Sequence, residues 1–414
     1  MKNQEILVGL DIGSSKIGVV VAEISDNLDP RVIGIGLAPS SGLKRGVVVD
    51  LEKTVSAISQ AIEDAEMMAG VKIASVLAGI AGDHIKSINS RGVVAVASSH
   101  NEIKVKDINR VIEAAKNVAI PQEREIIHIL PLDFTVDEQD GIQNPLGMSG
   151  MRLEASVHIV TGASTPAQNI YKCIQKVGLN VDEIVLEPLA SSYAVLSPEE
   201  QNLGVILLDL GGGTTDIAIF YEGGLRYTSV LGIGGQNVTN DIAIGLRTPV
   251  EQAEMLKKGY GCALASLVDA DELVTVQNVG GAESKEISRQ VLANIIEPRM
   301  EELFSLVNRE VKKTGLAPFM AAGVVLTGGG SLLEGTVQMA EQVLDLPVKL
   351  GRPQRFIDLH DLAQSPIFAT SLGLVLYGLD QNPDTYRGGF NHRNNKKIYH
   401  RFKETMKDWL NEYF

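Results

Sequence analysis

The sequence predicts an α/β protein of two lobes, and three observations carry that prediction. The chain has 414 residues, too many for one compact core. Two segments, VGLDIGSSKIGVVVAE and ILLDLGGGTTDIAIFYEGG, repeat one order: strand, Asp, apolar residue, Gly, small polar turn, second β-rich strand. Asp11 matches Asp209 and Gly13 matches Gly211, so a duplicated unit opens each half. Between and after the two copies, strand-like runs alternate with helical periodicity, which means α/β layers.

Taken in order, the β-favouring run from residue 6 to 12 ends at Gly13-Ser14-Ser15. Helical patterns over 51–69 and 105–118 follow, separated by a strand-like 92–97 and succeeded by a strand over 126–136. The second copy, 205–210, ends at Gly211-Gly212-Gly213-Thr214-Thr215. A long helix is expected over 288–314, then a strand over 323–327 running into Gly328-Gly329-Gly330, then a helix-like 332–344. Residues 380–395 are polar and contain Pro383, Gly388 and Gly389, as a flexible linker would.

Composition narrows the function. Hydrophobic residues at 44 % and charged residues at 21 % are ordinary globular usage, so disorder is expected only in short segments. A net charge of -14 repels a phosphate backbone, so no nucleic-acid partner is expected. Cys173 and Cys262 have no CxxC spacing and read as reduced, buried thiols. Asp11 interrupts the first apolar run, against a secretory signal, and the longest apolar stretch, 367–379, falls short of the ~20 residues a membrane-spanning helix needs. His84, His128 and His158 lack metal-ligand spacing and read as structural.

The glycine turns point to phosphate. Backbone N–H groups grip phosphate well, and only glycine or small residues let the backbone come close. The first turn offers Gly13, Ser14, Ser15 and the cation Lys16; the second offers Gly211 to Gly213 with the hydroxyls of Thr214 and Thr215. Asp11 and Asp209, just before the turns, could hold the water shell of a phosphate-bound Mg²⁺. Gly328, Gly329 and Gly330 suit a nucleoside lying flat on backbone. Each turn alone could be only a tight turn, and neither GxxxxGK[ST] nor GxGxxG is present.

Residues 396–414, KKIYHRFKETMKDWLNEYF, place Ile398, Tyr399, Phe402, Met406, Trp409, Leu410 and Tyr413 inside an arc of roughly 120°. Lys396, Lys403 and Lys407 flank that face, where their stems can reach lipid headgroups. Five Lys or Arg against three Asp or Glu give the segment +2 in an acidic protein, as attraction to anionic lipid requires. The competing reading is a helix docked on its own domain. The polar linker and the lysines at the helix start, which oppose its dipole, argue against that.

DIGSSK, DLGGGTTD and TGGG resemble the two phosphate motifs and the adenosine motif of the actin, Hsp70 and sugar-kinase superfamily. GIAGDHIKSINSRG, LEPLASSYAVL, AEMLKKGYGCA, VLANIIEPRMEEL and ATSLGLVLYG more narrowly resemble the FtsA family of bacterial cell-division proteins. The resemblance implies a two-lobed actin-like (duplicated RNase H-like) fold, an inserted small α+β subdomain and a C-terminal amphipathic helix. It divides the chain into a first lobe at 1–84 and 163–200, an insertion at 85–162 and a second lobe at 201–237 and 316–354. A small subdomain of that second lobe covers 238–315, a return to the first lobe 355–380, a linker 381–395 and a membrane helix 396–414.

The same resemblance implies ATP and Mg²⁺ as cofactors, held by Asp11, Gly13 to Lys16 and Asp209 to Thr215. Glu254 and Lys257 would hold ribose and base, with Gly234, Gly235, Gln236 and Asn237 lining the cleft. Glu187 occupies the inter-lobe crossing where hydrolysing relatives orient water with Asp209 beside the metal, or it is simply the acid that starts a helix before Pro188. A slow ATPase at most is implied. Implied partners are further copies in an actin-like filament, anionic lipid, other division proteins at the insertion, and the C-terminal peptide of the tubulin-like FtsZ. Arg289 and Arg299 are candidate contacts for that peptide, or members of a solvated helix face. Implied location is the cytoplasmic face of the membrane at the division site. A sugar kinase or chaperone ATPase with the same cleft, or a pilus-assembly scaffold, is the alternative.

Overall fold

The computed structural model describes residues 5–24, 30–97, 100–277, 284–356 and 361–381. Two five-stranded sheets share one topology. In the first lobe, strands Glu5–Ile12, Lys16–Ile24 and Arg31–Pro39 form an antiparallel meander; Ser75–Ile80 and then Asn180–Leu186 join parallel beyond the first strand. In the second lobe, Val205–Leu210, Thr215–Tyr221 and Gly224–Leu231 form the meander, and Val324–Thr327 and Val348–Leu350 extend it in parallel. The duplication read from two short segments therefore extends to whole sheets.

Strand alternation places each residue. Val205 and Leu207 pack into the core around the lobe junction, whereas Ile206, Leu208 and Leu210 point into the second lobe's own core. Asp209, between Leu208 and Leu210, therefore faces the junction. Two helices fill that junction, Glu187–Val195 and Ala369–Gln381. They cross closely: a Cβ on Gly373 would lie 2.0 Å from the Ala190 carbonyl oxygen. The apolar run of 367–379 is thus an interior helix, with Leu372, Leu374 and Val375 fully buried. Helices Leu51–Ala69 and Ser164–Lys176 cover the first sheet's other face.

Two smaller units are attached. Strands Lys86–Ala95, Arg124–Val136, Gln139–Ile142 and Arg152–Ala163 make a separate sheet under helix Val105–Lys116, with its own core of Ile108, Val111, Leu153 and Val157. That unit leaves the first lobe after Ser75–Ile80 but leans on the edge of the second lobe. Ser87 Oγ donates to Thr228 O at 3.1 Å, Asn89 Nδ2 donates to Arg226 O at 3.2 Å, and the Arg226 guanidinium pairs with Asp133 at 2.8 Å. The second attached unit comprises helices Gly235–Leu246, Val250–Tyr260 and Arg289–Lys313 with the ribbon Leu273–Val276 and Lys285–Ser288. Expected helices and strands recur with ends shifted by a few residues. The expected helix over 332–344 instead begins at Thr336, because Gly335 is left-handed at φ +76°. Among the described residues no helix is long and apolar enough to cross a membrane.

Candidate functional site at the lobe junction

The two glycine turns face each other. Each is closed the same way: Gly13 N donates to Lys16 O at 3.0 Å, and Gly211 N donates to Thr214 O at 2.9 Å. A Cβ on Gly212 would lie 1.7 Å from Ser15 Oγ, and one on Gly213 would lie 2.8 Å from Ser14 Oγ. Only glycine permits that approach. Gln236 ties the lobes directly, its Nε2 donating to Ser14 O at 3.3 Å and Ser15 Oγ at 3.2 Å.

Gly234 to Asn237 support the second turn from beneath. Gly235 N donates to Gly211 O at 3.0 Å, Gln236 N to Gly212 O at 2.8 Å, and Gly234 N to Asn237 Oδ1 at 3.0 Å. Lys257 reaches the same helix start, donating to Gly235 O at 3.0 Å, Thr239 Oγ1 at 2.8 Å and Glu254 Oε2 at 2.7 Å. Gly328 to Gly330 lie on the other side. Gly328, at φ +79°, is so close that a Cβ would lie 2.2 Å from Asp209 Oδ1, and one on Gly330 would lie 2.8 Å from Leu210 O. All three turns therefore converge on the junction.

Behind them sits a cluster of carboxyl groups. Asp11 is buried and bonded to the Lys16 ammonium. Asp209 accepts from Ser191 Oγ at 3.1 Å and Thr370 Oγ1 at 3.4 Å, from the two junction helices. Burial, then the nearby Asp11, pushes its pKa up to about 6. Glu187 starts the crossing helix, and Gly79 leaves it room: a Cβ there would lie 2.9 Å from Glu187 Cγ. Some of its surface stays open, yet burial among protein atoms, then Asp11, Asp216 and Asp209, raises its pKa well above normal, against the pull of Lys16.

Asp216 escaped the sequence reading. It is 3 % exposed, stands opposite Asp209 across the hairpin and accepts from Thr214 Oγ1 at 3.2 Å. Burial, then Asp209, pushes its pKa up to about 8, and its Oδ1 has no hydrogen-bond partner among the described residues. In the first copy Gly18 holds the equivalent register, opposite Asp11. A Cβ there would meet Ser371 Oγ at 3.1 Å and Lys16 Nζ at 3.5 Å, so the ammonium fills the place of the missing carboxyl. The TTD triplet after the second turn was the available signal.

These residues fit a magnesium-bound polyphosphate on the structure's own terms. The turns present glycine backbone where a Cβ would not fit, and buried carboxylates with an orphaned oxygen call for a divalent cation or its water shell. No three His, Cys, Asp or Glu side chains among the described residues form a direct metal cage. His128 Nε2 accepts from Leu186 N at 3.0 Å, and His158 Nδ1 contacts Asn89 Oδ1 at 2.6 Å. His84 is part-buried, with its pKa lowered chiefly by burial. Cys173 and Cys262 are free and buried.

The remaining expected residues lie elsewhere. Arg289 and Arg299 sit on helix Arg289–Lys313, but both are engaged within the chain. Arg289 bonds to Glu272 at 2.9 Å, to Tyr260 O at 2.8 Å and to Glu334; Arg299 bonds to Asp241 at 2.6 and 3.1 Å and to Glu302. The expected linker after residue 381 and the apolar face from Ile398 to Tyr413 fall outside the described residues.

The doubled sheet order, with lobes meeting at facing turns, defines a protein of the actin-like class. A family model described as "Cell division protein FtsA" matches residues 206–373, and one described as "SHS2 domain inserted in FTSA" matches 82–161. The cell division protein FtsA of Pseudomonas aeruginosa is 49 % identical over 384 residues, covering 93 % of this chain and 92 % of that one. FtsA of Escherichia coli K12 is 40 % identical, with 92 % of each chain covered. The chain belongs to the FtsA family of cell division proteins.

Solved structures share the fold at lower identity. The PilM-PilN type IV pilus biogenesis complex aligns with a TM-score of 0.64 and 19 % identity, over 90 % of this chain and 98 % of that one. MreB5 of Spiroplasma citri bound to ADP aligns at 0.57 and 15 %, over 93 % and 99 %.

Proposed function

We propose that the chain binds ATP with Mg²⁺ between its lobes and that the closed form assembles with further copies into an actin-like filament. Gly13 to Lys16 and Gly211 to Thr215 would hold the phosphates. Gly234, Gly235 and Asn237 would line the cleft, Glu254 and Lys257 would hold the ribose and base, and Gly328 to Gly330 would support the adenosine. Asp11 and Asp209 would hold magnesium through water, and Mg²⁺ when bound would neutralise charge that the carboxyl cluster otherwise carries. Glu187, facing that space, would orient water for hydrolysis that is slow at most. ATP then serves mainly as an assembly switch.

The filament would tether FtsZ to the cytoplasmic face of the membrane at the division site. The segment 396–414 would lie in anionic lipid, and because one short helix binds reversibly, several linked copies would make attachment last. The FtsZ C-terminal peptide would bind the small subdomain at 238–315. Contacts through Arg289 or Arg299 there require exchange of the ion pairs those residues already make. Other division proteins would use the insertion. One observation carries this reading: glycine turns from two lobes converge in front of buried carboxylates. The test is flotation with anionic liposomes, intact and truncated after Asn395, with and without ATP. Equal flotation of both proteins would remove the anchoring role, and filaments indifferent to ATP would remove the switch.

A further inference from the structure

A short hairpin from the first lobe reaches over the facing turns, and its tip carries an unusual residue. Strands Leu43–Lys44 and Val47–Val48 pair Lys44 with Val47, leaving Arg45 and Gly46 as a two-residue loop. Both loop residues are left-handed, at φ +51° and φ +77°. That is the signature of a type I′ turn, whose first position favours Asn, Asp or Gly and strains a long side chain. A strained arginine at such a tip calls for a reason in its surroundings.

The surroundings are the two turns. Gly46 N donates to Ser14 Oγ at 2.9 Å, which leaves the Ser14 hydroxyl hydrogen free for another acceptor. A Cβ on Gly213 would lie 3.2 Å from Arg45 N, so the loop backbone also presses on the second turn. From there the Arg45 side chain crosses to the other lobe. Its Cδ, Nε and Cζ lie 3.4 to 3.5 Å from the Cβ position of Gly232, two residues before the segment that supports Gly211 and Gly212. Arg45 is exposed, and among the described residues its guanidinium has no hydrogen-bond or ion-pair partner.

Charge gives the arginine its task. Asp11, Glu187, Asp209 and Asp216 surround the junction, the Lys16 ammonium is already bonded to Asp11, and Lys257 is bonded to Glu254. A terminal phosphate added to that environment needs a cation whose charge is not already answered. We propose that Arg45 is the residue by which the cleft distinguishes a nucleoside triphosphate from a diphosphate: its guanidinium turns from Gly232 to the terminal phosphate, exchanging a packing contact with the second lobe for a charge-assisted bond made only in the triphosphate state. This rests on the reading of the junction as a nucleotide site.

The experiment is calorimetric titration of the full chain with AMPPNP and with ADP, each with Mg²⁺, for wild type, Arg45→Ala, Arg45→Asn and Arg45→Lys. Asparagine suits the left-handed turn, so Arg45→Asn removes the cation while keeping the hairpin, and its thermal midpoint should match or exceed wild type. Both neutral variants should lose about 10- to 100-fold in AMPPNP affinity, the range for a charge-assisted contact, with ADP affinity changed less than about twofold. Arg45→Lys should fall between them and wild type. Equal losses for both nucleotides, or no loss for either, overturn the assignment while leaving the nucleotide site intact. A wild-type chain that binds neither nucleotide overturns the site itself and this inference with it.

Discussion

Replacing Asp216 with asparagine should flatten part of the pH dependence of stability in the nucleotide-free protein. The carboxyl is buried beside Asp209, and its pKa rises from an ordinary 3.8 to about 8. Between those values the folded chain keeps a proton that the unfolded chain has released. Stability therefore falls with rising pH, by about 1.4 kcal/mol per unit while that difference is one proton. The loss starts above the unfolded value and levels off above about pH 8, where the folded form ionises too. Integrated from about pH 6 to about pH 8, the group costs about 2 kcal/mol. Asparagine carries no charge at any of these pH values and keeps an acceptor for Thr214. Asp209 and Glu187 titrate nearby, so the wild-type curve reports the whole set and the difference between wild type and variant isolates Asp216. The assay is urea unfolding with EDTA and no nucleotide at the two pH values. Asp216→Asn should gain about 2 kcal/mol on wild type between them. A gap that stays constant to within about 0.5 kcal/mol would refute the claim that this carboxyl is held protonated.

Three further outcomes follow from geometry. Gly212→Ala places a methyl 1.7 Å from Ser15 Oγ and forces the turns apart, so ATP affinity should fall about tenfold or more in a titration while circular dichroism stays unchanged. Gly373→Ala meets a backbone carbonyl at 2.0 Å that no rotamer change can clear, and should cost about 1–3 kcal/mol of stability, read as a lowered thermal midpoint. Glu187→Gln should leave ATP affinity within about threefold but lower hydrolysis about 10- to 100-fold in a single-turnover assay. Unchanged turnover would make Glu187 only the acid that starts its helix.

The parts of the fold readable in the sequence were those written in local pattern. The Asp-x-Gly turn is repeated at 11–13 and 209–211, and that repeat was enough to call two lobes; the paired sheet orders agree. Helix Leu51–Ala69 was legible because its apolar period is regular and Gly70, left-handed at φ +69°, stops it. Asp216 was missed because the comparison of repeats looks for identity, and its counterpart is Gly18, where Lys16 takes up the space. Contacts made far apart in the chain were also hidden. Nothing local links Arg289 to Glu272 or Arg299 to Asp241, so two arginines read as candidate partner contacts were already committed inside the molecule. Ser191 and Thr370, which bond Asp209, lie on helices whose meeting only the fold brings about.

At the lobe junction the helices Glu187–Val195 and Ala369–Gln381 meet where the backbone of Gly373 touches that of Ala190. Backbone against backbone gives a fulcrum that resists compression but permits rotation, much as the rivet of a pair of shears does. A swing about such a point grows with distance from it. The helices 250–260 and 289–313 belong to one arm, and the unit around Val105–Lys116 is attached to the other arm while leaning across the joint. A slight widening where Ser15 meets Gly212 would therefore be felt as a large sideways travel at the outer surfaces, the ones that neighbouring molecules would meet.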